Sequence, residues 1–223
     1  MRFLFALLVV ALPAFAGEDG GWELVVKGPI TVKNRSIEGT AIKEIWAEGE
    51  IDAPALDVQD ALMDVPSLRS YMPYLKDARY LGDPLEDGSH YVYTLIDLPV
   101  VGKRDYIVRL ELKQSLAADG SGTFRNEWHA HPDHLPQRNG IVRVRRNDGS
   151  WEITPLGDGT KCWAVYRFTV DPGGWVPAFA ANMGNERGVK ETYDAVAKEG
   201  RKRAEKRKLA ATDAARPATA AQP

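Results

Sequence analysis

Cysteine is nearly absent: Cys162 is the single one in 223 residues. One thiol cannot close an intramolecular disulfide, and a cysteine-based zinc cage needs several thiolates. Histidine is also sparse, with four residues. The chain has no apolar run long enough to span a bilayer, which takes roughly 20 residues. It has no nucleophile elbow, phosphate loop or paired-carboxylate pattern. Gly120-Ser121-Gly122 reads as a turn, because no helix follows it. A cationic surplus is missing too, since the net charge is −2. Nucleic acid is excluded as the main partner, because phosphate binding needs a basic face.

What is present begins with a short leader. Arg2 gives a positive start, Phe3 to Leu12 is uninterruptedly apolar, and Ala14-Phe15-Ala16 places small residues just before Gly17. This is the layout of a secretory signal. Residues 1–16 are therefore expected to be a signal peptide and the mature protein periplasmic or secreted. Residues 17–208 suit one domain. Residues 209–223 are mostly Ala, Thr, Pro and Gln, and are expected to be a disordered tail. Seven Lys/Arg against two Glu give 198–208 a charge of +5, which leaves −8 on 17–197. Such a basic segment suits a solvated helix end, or transient contact with a membrane surface.

Glu23–Val26 and Ile30–Arg35 read as strands split by Gly28-Pro29, and Thr40 to Ile51 continues with β-branched and aromatic residues. Pro54 opens a helix, in which Ala55, Val58, Ala61, Leu62 and Val65 recur at helical spacing. A short helical turn follows over Ser67 to Met72. Ser89 to Ile96 is rich in residues that fit pleated surfaces. Arg104 to Leu116 alternates, with Tyr106, Val108, Leu110 and Leu112 on one face and Arg109, Glu111 and Lys113 on the other. Phe124, Asn126 and Trp128 repeat the pattern. Asn147-Asp148-Gly149 is expected to turn a hairpin between Gly140–Arg146 and Ser150–Pro155, and Asp158-Gly159 to precede a strand over Lys161 to Val170. Asp171-Pro172-Gly173-Gly174 breaks the sheet. A helix with one broad apolar stripe is expected from about Val176 to about Lys208. The fold class is α+β, and the one long cover for the sheet is the C-terminal helix.

Two segments resemble the START family, the steroidogenic acute regulatory protein-related lipid transfer domains. They are Val101-Gly102-Lys103-Arg104-Asp105-Tyr106 and Asp171-Pro172-Gly173-Gly174-Trp175-Val176-Pro177, with Asn182, Trp22, Leu62-Met63-Asp64 and Val142-Arg143 as weaker matches. The resemblance spans roughly residues 22–200. It implies a helix-grip fold, in which a curved antiparallel β-sheet wraps around the C-terminal helix and encloses a lipid, sterol or similar molecule. It also marks loop 131–140 and the start of the last helix as a gate. Sterol-binding members place an Arg inside the cavity on the central strand. Here that inward position is Leu110, so sterol specificity does not carry over.

The inward faces then give the ligand-binding candidates: Tyr93, Tyr106, Val108, Leu110, Asn126, Trp128, Phe168, Phe179 and Met183. Asn126 and the tyrosine hydroxyls are the polar anchors in an otherwise apolar set. Arg104-Asp105 reads as a pair that fixes the start of a strand. His129, His131 and His134 form the one metal-like cluster, but Pro132 and Pro136 make it a loop and no further ligand is evident, so no metal is expected. No catalytic residue and no cofactor are assigned, and a monomer is expected. A cyclase or aromatase using the same cavity is the alternative function.

Overall fold

The computed structural model describes residues 20–176 and 178–215, with side chains over 20–176 and 187–214. The leader expected at 1–16 lies outside the described residues. The chain order is β1 (Glu23–Val26), β2 (Ile30–Ser36), β3 (Lys43–Ile51), α1 (Ala55–Met63), a 3₁₀ turn (Val65–Ser70), β4 (Leu75–Tyr80), β5 (His90–Leu98), β6 (Gly102–Gln114), β7 (Phe124–Ala130), β8 (Val142–Arg143), β9 (Arg146–Leu156), β10 (Lys161–Asp171) and α2 (Ala178–Ala215). The strands form one open sheet in the order β1-β2-β3-β10-β9-β7-β6-β5-β4. Its pairings are antiparallel except for the short β8, which runs parallel to Arg104-Asp105 of β6. This is the helix-grip arrangement that the sequence led us to expect.

The period-two pattern of β6 is what lets it sit at mid-sheet. Val108 and Leu110 are buried on one face, while Arg109 reaches Ser89 and Asp87 on the other. Long helix α2 docks across the β3–β10 seam. The Tyr193 hydroxyl there sits between the carbonyl oxygens of Ala47 (2.8 Å) and Ala164 (2.7 Å), and Val189 and Val196 are buried beside it. Gly200 lets α2 come close to α1: a Cβ at that position would lie 3.0 Å from Val58 Cγ2 and 3.1 Å from Ala53 Cβ.

The basic segment has a structural use. Arg203 bridges Asp64 (2.8 Å) and Glu199 (2.9 Å), and Arg207 reaches Asp60 (2.8 Å) and Asp57 (3.1 Å). Two of its seven cations thus clamp α2 onto α1. The segment is also not a helix end, because α2 runs on to Ala215.

Two expectations are corrected. The first is the tail boundary, since residues 209–215 belong to α2. These residues build no core, but extending an existing helix needs no new nucleus, and Ala and Leu have the highest helix propensities. Residues 216–223 lie outside the described residues. The second is the hairpin at Asn147-Asp148-Gly149, which is instead interior to β9 and paired with Thr169 and Phe168 among others. Asn147 Oδ1 accepts the Trp128 indole N–H (3.0 Å), and Asp148 Oδ1 accepts the Ala130 backbone N–H (3.0 Å). A Cβ on Gly149 would lie 2.4 Å from the Trp128 ring. Turn-forming residues stand here because side-chain bonds and clearance demand them, and tertiary contacts override local turn propensity. The β9–β10 hairpin closes at Gly157 to Thr160.

A candidate ligand cavity between the sheet and the helices

Inward residues of β5, β6, β7, β9 and β10 face α1, the 3₁₀ turn and α2 across a cavity of about 230 Å³. Five of the predicted residues, Tyr106, Val108, Leu110, Asn126 and Trp128, stand in its wall. Phe168 does not line it, but stacks on a residue that does, Tyr166, at 4.6 Å between ring centroids. Phe179 and Met183 fall on α2, and their side chains lie outside the described residues.

Tyr93 is a correction. Register pairs it with Ile107, whereas the wall residues Val92 and Thr94 pair with Val108 and Tyr106. Tyr93 therefore points to the opposite face, where Arg79 lies 4.3 Å over its ring and its hydroxyl is 3.3 Å from Asp105 Oδ2. Parity alone could not phase β5, because Val92, Tyr93 and Thr94 are all buried and no alternation survives.

Sequence reasoning missed Trp151 and Tyr166, which stack 4.3 Å apart with their planes 7° from parallel and line the wall. The signal was available, since Tyr166 is two residues from Phe168 and so shares its face. It also missed Val65, Leu68 and Met72, which come from the 3₁₀ turn and the residues after it and close one side. Their irregular spacing carries no period to read.

The wall is apolar with a few neutral polar groups, as ligand pockets tend to be. Among the described residues that line it there is no Asp, Glu, Lys, Arg or His. Burial pushes the phenols of Tyr106 and Tyr166 above their ordinary range, so both stay protonated. Asn126 is buried, and its Oδ1 accepts the backbone N–H of Trp151 at 3.1 Å. Cys162, the one thiol, is buried elsewhere in the core and pushed up to about 12, which keeps it unreactive.

The two sequence segments singled out above meet at one end of the sheet. Arg104 is 1% exposed. Its guanidinium donates to the carbonyls of Pro172 (2.9 Å) and Gly173 (3.3 Å), and on its own side to Val101 and Gly102. It therefore ties the start of β6 to the link that leads into α2. Gly173 and Gly174 adopt positive φ of 64° and 61° in that link, a conformation that favours glycine. The β5–β6 turn and the link each present one bare hydrophobic side chain, Val100 at 74% and Trp175 at 78% exposure.

Next along β6, Asp105 receives Arg143 from β8. Arg143 also donates to the carbonyls of Pro132, Leu135 (2.8 Å) and Pro136 (3.4 Å). Arg143 thus gathers three carbonyls of loop 131–141, and the His131 backbone N–H donating to the Ile107 carbonyl (2.8 Å) and Arg138 reaching the Tyr93 hydroxyl hold the loop further. The His cluster on this loop serves packing: His134 stacks on Tyr91 at 3.8 Å and His131 meets the same ring edge-on at 5.2 Å. No group of three His, Cys, Asp or Glu is placed to hold a metal among the described residues.

Comparison with known proteins agrees with this geometry. A STAR-related lipid transfer protein from Xanthomonas axonopodis (fragment 25–204) is 29% identical, with a TM-score of 0.68 over 81% of this chain and 99% of its own. Human StAR-related lipid transfer protein 5 shares the fold at 18% identity, with a TM-score of 0.71 over 83% and 88% of the two chains. So does the Zhui aromatase/cyclase of Streptomyces sp. R1128, at 17% identity and a TM-score of 0.52 over 73% and 96%. In sequence, an uncharacterized protein of Pseudomonas aeruginosa is 24% identical over 190 residues, or 82% of this chain and 90% of that protein. No family model matches the chain.

Proposed function

Because this chain has the START helix-grip fold, we propose that it binds a lipid or another small apolar molecule in the cavity between sheet and α2, and passes it on at a membrane surface. The observation that carries this reading is the cavity itself: about 230 Å³, walled by apolar and neutral polar side chains from β4, β5, β6, β7, β9, β10, α1, α2 and the 3₁₀ turn, Leu75 of β4 and Thr192 of α2 among them. A core packed to ordinary density leaves few voids larger than a water molecule. Each CH₂ of a lipid tail buried there contributes about 0.8 kcal/mol.

Access is at the start of α2. The gate expected at loop 131–140 is a correction, because His131 and His134 pack on Tyr91 and Arg138 reaches the Tyr93 hydroxyl, on the sheet face turned away from the cavity. The bare Val100 and Trp175 at the end of the sheet suit the membrane contact, since Trp favours the boundary between water and lipid. Export by the leader 1–16 would set this exchange in the periplasm or outside the cell. The protein acts alone, as a monomer, and on lipid rather than nucleic acid.

We read the cavity as a binding site rather than a reaction centre. Aromatase/cyclase chemistry on this fold would need an acid and a base turned inward. The described wall offers phenols held protonated by burial and amides instead.

The test is gentle purification of the mature chain followed by mass spectrometry of extracted organic molecules. A recurrent apolar molecule at near-stoichiometric amount is expected. A protein that carries nothing and takes up no labelled lipid would refute the reading.

A further inference from the structure

The cavity wall holds an oriented donor with no strong acceptor. Asn126 is 3% exposed. Its Oδ1 accepts the Trp151 backbone N–H at 3.1 Å, which settles the orientation of the amide, because an NH₂ group there would set donor against donor. Nδ2 is therefore turned the other way, toward Met63 Sδ at 3.7 Å. A thioether is a weak acceptor, and the amide has a second N–H besides. Buried donors left at such partial strength are uncommon in native proteins. Tyr106 and Tyr166 add two phenolic donors to the same wall.

What the wall lacks sharpens the point. A buried carboxylate or phosphate is costly unless a cation meets it. No cationic side chain lines the cavity among the described residues. The two buried guanidiniums among the described residues stand outside the wall and are engaged elsewhere, Arg104 with backbone carbonyls and Arg143 with Asp105.

We propose that the ligand is an uncharged lipid whose oxygen, a hydroxyl, ester or ketone, enters the cavity and accepts from Asn126, with its hydrocarbon part against Val108, Leu110 and Trp128. This rests on the cavity-binding reading above and names the class of molecule it takes. The ligand goes in oxygen first, and an anionic head group has no place inside. At about 230 Å³ the space suits one chain or a small ring system rather than a two-chain phospholipid, since pockets for larger molecules run to roughly 1,000 Å³.

The test uses the full mature chain and displacement of the neutral fluorophore N-phenyl-1-naphthylamine at pH 8. The competitors are 1-tetradecanol, methyl myristate and myristate, which share a chain and differ in the head. The alcohol and the ester should displace the probe at concentrations about tenfold lower than myristate, the scale of one hydrogen bond kept against one charge left unpaired. Asn126→Leu should weaken the alcohol about fivefold relative to the probe, whose own affinity for the variant is titrated alongside, the scale of one lost hydrogen bond. Myristate binding as tightly as the alcohol, or a folded Asn126→Leu with unchanged alcohol affinity, would overturn the ligand class and leave the cavity reading standing. Failure of the probe and all three competitors to bind would overturn both. Should Asn126→Leu not fold, the alcohol-to-myristate ratio of the unaltered protein decides the matter alone.

Discussion

Arg143 and Asp105 form a two-point ion pair, Nε to Oδ1 at 2.8 Å and Nη2 to Oδ2 at 3.2 Å, with side chains only 3% and 0% exposed. The same guanidinium holds the carbonyls of Pro132, Leu135 and Pro136. The pair therefore fixes loop 131–141 to the middle of the sheet. Removing one partner of a buried pair strands the other, at a cost of about 3–5 kcal/mol. Arg143→Ala should lower unfolding stability by that much in urea titration. Asp105→Leu combined with Arg143→Met should cost less than the two single changes added together. Purely additive losses would show that the two residues do not act as a pair.

Two glycines should respond in opposite directions. An alanine Cβ at Gly149 would come 2.5 Å from the Arg167 carbonyl oxygen and 2.9 Å from Phe168 Cβ, besides the Trp128 ring. Gly149→Ala should destabilise by about 1–3 kcal/mol through overpacking, and disturb the indole fluorescence of Trp128. Gly188 lies within α2, and a Cβ there meets nothing within 4 Å. Gly188→Ala should stabilise by about 0.5–1 kcal/mol through helix propensity. Thermal melts of both variants check the signs.

These contrasts show which parts of the molecule were legible in sequence. Strand β6 declared its two faces through Arg109, Glu111 and Lys113, although Asp105 and Ile107 on the same outer face are fully buried, and Tyr106, Val108 and Leu110 followed from that alternation into the cavity wall. The Arg104 and Asp171–Gly174 segments were recognisable as motifs, but nothing local said that they touch one another. Tyr93 was misassigned because both faces of β5 are buried around it, and only its pairing with Ile107 fixes the phase. Asn147-Asp148-Gly149 misled for a different reason. Residues chosen for contact with Trp128 and Ala130 are also good turn formers, and local chemistry cannot distinguish the two uses.

Leu110 tests the assigned parity of the wall. It is 8% exposed and lines the cavity, whereas Arg109 beside it binds Asp87 and Ser89 on the outer face. Leu110→Arg should abolish uptake of a labelled apolar ligand, because a guanidinium there has no partner. Arg109→Leu should leave uptake unchanged. Equal effects of the two substitutions would refute the facing of β6.

Val100 and Trp175 are expected to act together at a bilayer. Arg104 links the backbone of the two segments that carry them, so both side chains project from one braced end of the sheet. Val100→Ser combined with Trp175→Ser should reduce co-sedimentation with phospholipid vesicles several-fold. Neither position is buried, so the change in stability should stay within about 0.5 kcal/mol. Vesicle binding that instead falls only with Lys198→Gln and Lys206→Gln, on exposed parts of the basic segment, would move the contact to α2.

The clamp between α1 and α2 should titrate with two opposite signs. Burial raises the pKa of Asp57 above its ordinary value, and Arg207 only partly offsets it. The folded state then holds that proton more tightly than the unfolded chain does. Its contribution to stability is full below the unfolded value and is lost as the pH rises through the folded one. At pH 7 the ionised Asp57 thus works against the fold, and Asp57→Asn should raise Tm, with the gain vanishing toward pH 3. Asp64 is the reverse case. A hydrogen bond from Ser67, then Arg203, holds it below its ordinary value. Its contribution is present above the unfolded pKa and is lost as the pH falls through the folded one. Asp64→Asn should therefore lower Tm at pH 7, modestly because the side chain is partly exposed, and should match the unaltered protein in acid. Melting curves from pH 3 to 7 read both, and shifts of the same sign at pH 7 would contradict the assigned roles.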